Sequence, residues 1–212
     1  MSYKSDVFIS YKRDDFRDEW LSEHFLPAFR SYVREEIART CKRQSIGIYF
    51  DETEIVSDKR KMKDRHGLEP GDEWRAALRE AIKTSRCVVC LWSPEYFFSQ
   101  WCTIEWRSFI ERGKATGRKL VVPLSVHDGD SFPQEAQDLQ ALDISDFVIP
   151  GEGFKKTEDY PLFQKRLKSL AVTVAQCVNQ APEFADFVVL EEPKSEAMVP
   201  PAGPDIPLHR LK

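Results

Sequence analysis

The chain has 212 residues and a formal charge of −4, with 31 Lys and Arg against 35 Asp and Glu, so no basic excess points to nucleic acid and no acidic block to a disordered tail. That length suits one domain of ordinary size with a substantial core. Apolar runs of about five residues fall far short of the roughly 20 that span a bilayer, and the start Met1-Ser2-Tyr3-Lys4-Ser5-Asp6 lacks the apolar centre of a signal peptide, so a cytoplasmic protein without membrane or nucleic-acid partners is expected.

The run Asp6-Val7-Phe8-Ile9-Ser10 predicts a first strand feeding the polar loop Tyr11-Lys12-Arg13-Asp14-Asp15. Phe16, Trp20, Leu21 and Phe25, then Phe29, Val33, Ile37 and Cys41, recur at helical spacing. Pro27 either kinks that helix or opens a new one from its first turn. Ile46 to Phe50 predicts a second strand ending at Asp51. From Glu52 to Gly71 charges dominate without apolar periodicity, and a connection of about twenty residues is typically a lid, a binding loop or disordered. Leu68-Glu69-Pro70-Gly71-Asp72 reads as a turn and helix cap, after which Trp74, Leu78 and Ile82 form the stripe of a short helix.

The third strand is predicted over Cys87 to Trp92, followed by a Ser93-Pro94 turn and a helix running through Phe109 and Ile110 to a stop near Gly113 or Gly117. Leu120 to Leu124 gives a fourth strand, Pro133 opens a short helix, and Ile144 to Ile149 gives a weak fifth strand. Pro161 starts a last helix carrying Leu162, Phe163, Leu167, Leu170, Val174 and Val178. Strands alternating with helices imply an α/β fold, a flavodoxin-like, doubly wound five-stranded parallel sheet with helices on both faces. The expected layout is one domain over residues 1–180 and a Pro-rich tail over 181–212, which holds six of the thirteen prolines and docks through Phe187-Val188-Val189-Leu190.

Five cysteines in apolar surroundings favour reduced thiols. Cys87 and Cys90 form a C-x-x-C inside a strand, where residues three apart point to opposite faces, so they read as core. The histidines lack metal-ligand spacing, and no metal is expected. Trp101 and Glu105 lie one helical turn apart and share a face. A carboxylate therefore stands beside a large ring near the carboxyl end of a strand, where ligands sit in open α/β sheets.

The blocks Asp6-Val7-Phe8-Ile9-Ser10-Tyr11, Gly47-Ile48-Tyr49-Phe50-Asp51, Leu68-Glu69-Pro70-Gly71-Asp72-Glu73-Trp74, Ala81-Ile82-Lys83-Thr84-Ser85, Leu91-Trp92-Ser93-Pro94-Glu95-Tyr96 and Ser99-Gln100-Trp101-Cys102-Thr103-Ile104-Glu105 together resemble a Toll/interleukin-1 receptor (TIR) domain over residues 6 to about 178. The order and spacing of the blocks carry the resemblance. The Trp-Cys-x-x-Glu block is most similar to plant and bacterial members that cleave NAD+. The connection from Asp51 to Gly71 is longer than usual, by roughly ten residues against typical α/β loops. In the family that loop controls access to the site and contacts neighbouring protomers, so the resemblance gives Pro70, Gly71 and Trp74 a loop or assembly role.

In NAD+ the leaving nicotinamide departs neutral from a cationic pyridinium and needs no general acid. What needs stabilising is the oxocarbenium-like ribose, which one well-placed anion can do. Glu105 is the candidate, and by resemblance it matches the family's catalytic glutamate. Trp101 either stacks on ligand or packs onto the sheet. Tyr11, Lys12 and Arg13, at the same sheet end as Ser93, either hold the diphosphate or form a solvated loop. Phe50 and Asp51 end the second strand at that rim, where a ring can stack on a base and an acid can accept a ribose hydroxyl, although Phe50 reads equally as core.

The resemblance implies an NAD+-consuming enzyme with NAD+ as substrate and no cofactor, passing ADP-ribose to water, to an internal group or to a small acceptor. It further implies self-association through TIR domains and, as in Thoeris-type antiphage defence, a separate effector reading a nucleotide signal. The alternative is a non-enzymatic scaffold acting by self-association. A nucleoside deoxyribosyltransferase shares the fold and also uses a glutamate, but the Leu68 to Trp74 block does not support it.

Overall fold

In the computed structural model, residues 2–41, 43, 45–50 and 72–191 are described. Five strands, β1 (Ser5–Tyr11), β2 (Ile48–Tyr49), β3 (Ser85–Trp92), β4 (Val121–Ser125) and β5 (Leu142–Asp143), form one sheet in the order β2-β1-β3-β4-β5. Every pairing is parallel. This is the flavodoxin-like order expected from the sequence.

Alternation along the strands separates two cores. Val7 and Ile9 of β1 and Cys87, Val89 and Leu91 of β3 face α1 (Asp15–Trp20), α2 (Leu26–Cys41) and α7 (Asp159–Gln180), packing on Phe25, Phe29, Val33, Phe163 and Leu167. Phe8, Val88, Cys90 and Trp92 face α3 (Asp72–Thr84) and α5 (Gln100–Thr116), packing on Leu78, Ile82, Ile104, Trp106 and Phe109. Cys87 and Cys90 thus lie in opposite cores, and all five cysteines are free thiols.

Of the two alternatives at Pro27 the second holds, because α2 begins at Leu26 and carries Pro27 in its first turn. α1 runs into α2 through a π turn, Leu21–Phe25, in which the Leu26 N–H reaches back to the Leu21 carbonyl. The wide turn comes just before proline, whose missing N–H already breaks the bonding ladder. Phe16, the first residue of the predicted stripe, is 54 % exposed.

The fifth strand lies earlier than expected. Leu142 pairs with Leu124 and Asp143 with Ser125, and Ile144 donates its N–H to the Ser125 carbonyl (3.0 Å). The Asp143 carboxylate then accepts from Ser145 N (2.9 Å) and Oγ (2.7 Å), turning the chain into a 3₁₀ turn at Ser145–Phe147. The helix after Pro133, α6 (Gln134–Gln137), is likewise a single turn.

α5 ends at Gly117, whose φ of 66° is left-handed and whose N–H bonds to the Gly113 carbonyl. Gly113 itself is required by contact, because a Cβ there would stand 2.6 Å from the Arg118 carbonyl oxygen. Between β3 and α5 lies the short helix α4 (Pro94–Phe98). Beyond α7, residues 181–191 run extended over the second core, with Val189 buried.

Candidate active site

Glu105 lies in the second turn of α5, whose N-cap Ser99 accepts from the Cys102 N–H (3.4 Å). The helix packs against β1 and turns the carboxylate onto Ser10, the residue before the last of that strand. Glu105 is 7 % exposed and Ser10 1 %. The Ser10 hydroxyl donates to Glu105 Oε2 and lies 2.6 Å from the Tyr96 hydroxyl.

The hydrogens can be assigned by count. Ser10 has one, directed at Glu105, so Tyr96 donates to Ser10, with a second acceptor in the Cys102 carbonyl at 3.2 Å. Burial pushes the Tyr96 hydroxyl well above the usual phenol range, and the Glu105 charge adds to the effect. Tyr96 therefore stays protonated and acts as a donor. Burial and then the Glu105 charge push the Cys102 thiol up as well, so this neighbour too stays neutral.

A cleft of about 210 Å³ opens at the carboxyl ends of β1 and β2, with Glu105 in its lining. Tyr11, Lys12 and Arg13 line it from the loop after β1, Trp74 and Leu78 from α3, and Trp101 from α5. Trp101 meets Trp74 edge-on with ring centroids 5.4 Å apart, and the Arg75 and Arg79 guanidinium carbons lie 6.0 and 5.6 Å from its centroid. Trp101 thus walls the cleft and packs at the same time, and Trp74 is part of the same wall.

Ser93, expected at the rim, is elsewhere, and Phe50 takes the core reading of its two. Ser93 is 1 % exposed because its hydroxyl caps α4, accepting from the Tyr96 N–H (3.3 Å), and also accepts from Arg17 Nη1 (2.9 Å). Phe50 is buried in the first core, its ring stacked on Tyr11 with centroids 5.0 Å apart. Its neighbour Tyr49, on the other face, lines the cleft instead and stacks on Phe8 at 5.2 Å. Asp51, Pro70, Gly71 and the charged 52–71 stretch lie outside the described residues.

Ser10, Tyr96 and Tyr49 were not anticipated. Alternation in the second strand could have pointed to Tyr49, since Tyr49 and Phe50 must face opposite ways. Nothing local marks Ser10, 95 positions from Glu105. Among the described residues no group of three or more His, Cys, Asp or Glu is placed to hold a metal, and no helix is long and apolar enough to cross a membrane.

The arrangement offers an enclosed carboxylate with a fixed donor, aromatic walls and two cations at the rim. A family model described as the TIR domain matches residues 7–156. No curated protein matches the chain. Among solved structures, the TIR domain of the Toll-related receptor TRR-2 from Hydra magnipapillata is 17 % identical with a TM-score of 0.40, over 77 % of this chain and 98 % of that one. The TIR domains of the activated Roq1 resistosome, which directly recognizes the pathogen effector XopQ, are 18 % identical with a TM-score of 0.34, over 84 % of this chain and 96 % of that one.

Proposed function

The chain belongs to the TIR domain family, and from its Glu105 cleft we propose that it cleaves the bond between nicotinamide and ribose in NAD+. The family includes NAD+-cleaving enzymes and members that act as scaffolds. The observation that carries the enzymatic reading is a glutamate only 7 % exposed that lines a cleft walled by Tyr49, Trp74 and Trp101. Most glutamates are solvated. One held in a cleft by a buried serine has a use for its charge.

Cleavage breaks the C–N bond at the anomeric carbon. The bonding pair goes to the pyridinium nitrogen and nicotinamide leaves neutral. Positive charge remains on the ribose, and the Glu105 carboxylate, held by Ser10, stabilises it in an environment where charges act strongly. The aromatic walls suit the flat rings of the dinucleotide, and Lys12 and Arg13 suit its diphosphate. Water captures the cation to give ADP-ribose and a proton. Capture by a nitrogen of the same nucleotide or by a small acceptor gives a cyclic or conjugated ADP-ribose.

Such a product is a signal of the kind used in bacterial antiphage defence, sensed by a separate effector, and the enzyme works in the cytoplasm. TIR domains self-associate, and assembly of this chain raises its activity. The test is mass spectrometry of NAD+ incubated with concentrated protein, beside Glu105→Ala. Nicotinamide release abolished by the substitution supports the enzyme, and the second product names the acceptor. Absence of release, in the presence of concentration-dependent assembly, favours a scaffold.

A further inference from the structure

Residues 181–191 lie beyond the span matched by the family model, yet they are fastened across α3 and α5 at several separate points. The Tyr3 hydroxyl donates to the Pro182 carbonyl (3.0 Å). Phe187 lies under the Arg112 guanidinium, whose carbon is 4.2 Å from the ring centroid, and Arg112 itself is fixed by the Ile82 and Ser85 carbonyls (2.8 and 2.7 Å). Val189 is 6 % exposed within the second core. The Leu190 N–H donates to Ser108 Oγ on α5 (3.1 Å). Between these anchors the segment stands off α3, leaving a groove of about 420 Å³ bounded by Ala76, Arg79, Lys83 and Val188. It is a strap, held at points rather than along its length.

The last anchor reaches the cleft. Arg79 donates from Nη1 to the Leu190 carbonyl (3.5 Å), and the same guanidinium lies 5.6 Å from the centroid of Trp101, the ring that walls the Glu105 cleft. Ser108, the other partner of Leu190, sits on the same helix as Trp101. An arginine head with an acceptor on one side and a ring on the other has little freedom to move. Without the acceptor, this long, half-buried side chain regains rotamers.

We propose that Arg79 is a positioning residue for Trp101, and that the strap 181–191, by holding Arg79, sets where this wall of the cleft stands. The strap thereby tunes substrate affinity from outside the cleft, a consequence that rests on the NAD+ reading above, whereas the mechanical link to Trp101 does not.

The test uses the full chain labelled with 5-fluorotryptophan. Its five tryptophans give separate fluorine signals, and Trp101→Phe assigns the one of interest. Phe187→Ala and Val189→Asp loosen the strap, and Arg79→Met removes the guanidinium while keeping side-chain length. The Trp101 signal is expected to move in all three, while Trp20, buried in the opposite core, stays in place and reports that the chain is folded. Loosening the strap in the Arg79→Met background should move it no further.

In parallel, the KM for NAD+ should rise about two- to fivefold, the worth of an exposed cation–π contact, with kcat within twofold. A Trp101 signal that stays put in folded Phe187→Ala and Arg79→Met overturns the proposal. If no variant and not even the unmodified protein releases nicotinamide, the NAD+ reading fails, and the fluorine spectra still decide the link.

Discussion

Ser10→Ala isolates the contribution of the group behind the carboxylate. Ser10 is 1 % exposed, donates to Glu105 Oε2 and does not line the cleft, so its removal leaves the set of residues lining the cleft unchanged. What it removes is one hydrogen bond to a charged acceptor, worth about 1.5–3 kcal/mol. Tyr96 retains the Cys102 carbonyl as acceptor. If the loss is expressed in the transition state, where the carboxylate faces new positive charge, it slows turnover roughly tenfold to a hundredfold, at about 1.4 kcal/mol per factor of ten. Steady-state nicotinamide release over a range of NAD+ concentrations should show the loss in kcat, with KM close to that of the unmodified protein. A kcat within twofold of normal, or a loss carried by KM alone, would refute the idea that Ser10 holds Glu105 for catalysis.

Gly113→Ala should destabilise the fold by about 1–3 kcal/mol in urea titration, even though alanine is the better helix former, because its Cβ would meet the Arg118 carbonyl oxygen at 2.6 Å. Asp6→Ala removes the buried carboxylate that accepts from Arg43 (2.7 and 3.0 Å) and the Gly47 N–H (3.0 Å) and forms an ion pair with Arg86 (3.1 Å). With both arginines partly in water, the loss is about 1.5–3 kcal/mol, read by the same titration. Burial pushes the Cys177 thiol up to about 11 from 9.0. Because the folded value is the raised one, its contribution is whole below pH 9 and is lost as pH rises through 9 to 11, roughly 2–3 kcal/mol in all. Cys177→Ala should therefore flatten the alkaline fall in melting temperature, and an unchanged slope would count against it.

The sheet was legible because its strands carry continuous apolar runs bounded by polar turns, as at Asp6 to Ser10 and Cys87 to Trp92. The pairing of Trp101 with Glu105 was legible because a helix fixes which residues share a face. Ser93 misled because a serine before proline marks both a rim and a helix start, and the cap took its hydroxyl. Phe50 stayed open between rim and core, since the last two positions of a strand face opposite sides and only the structure shows which side holds the cleft. The fifth strand misled because Asp143 bends the chain through its own side chain, ahead of the apolar residues that suggested extension. Ser10 and Tyr96 were out of reach for another reason. Their partnership with Glu105 joins three separate elements, and no periodicity encodes it.

The π turn at Leu21–Phe25 behaves as a one-residue insertion absorbed inside a helix. Each residue of an α-helix advances the face by about 100°, so the stretch before the turn and the stretch after it are wound to different phases. Trp20 and Phe163 meet on one side of the turn, at 5.9 Å between centroids, while Phe29, Val33 and Ile37 continue the buried face on the other. Deleting one residue there would rotate the whole Phe29–Ile37 stripe away from α7, while Pro27 would still lack the N–H that a regular ladder needs. The irregular turn thus keeps the core in phase at a point where the bonding ladder is interrupted in any case.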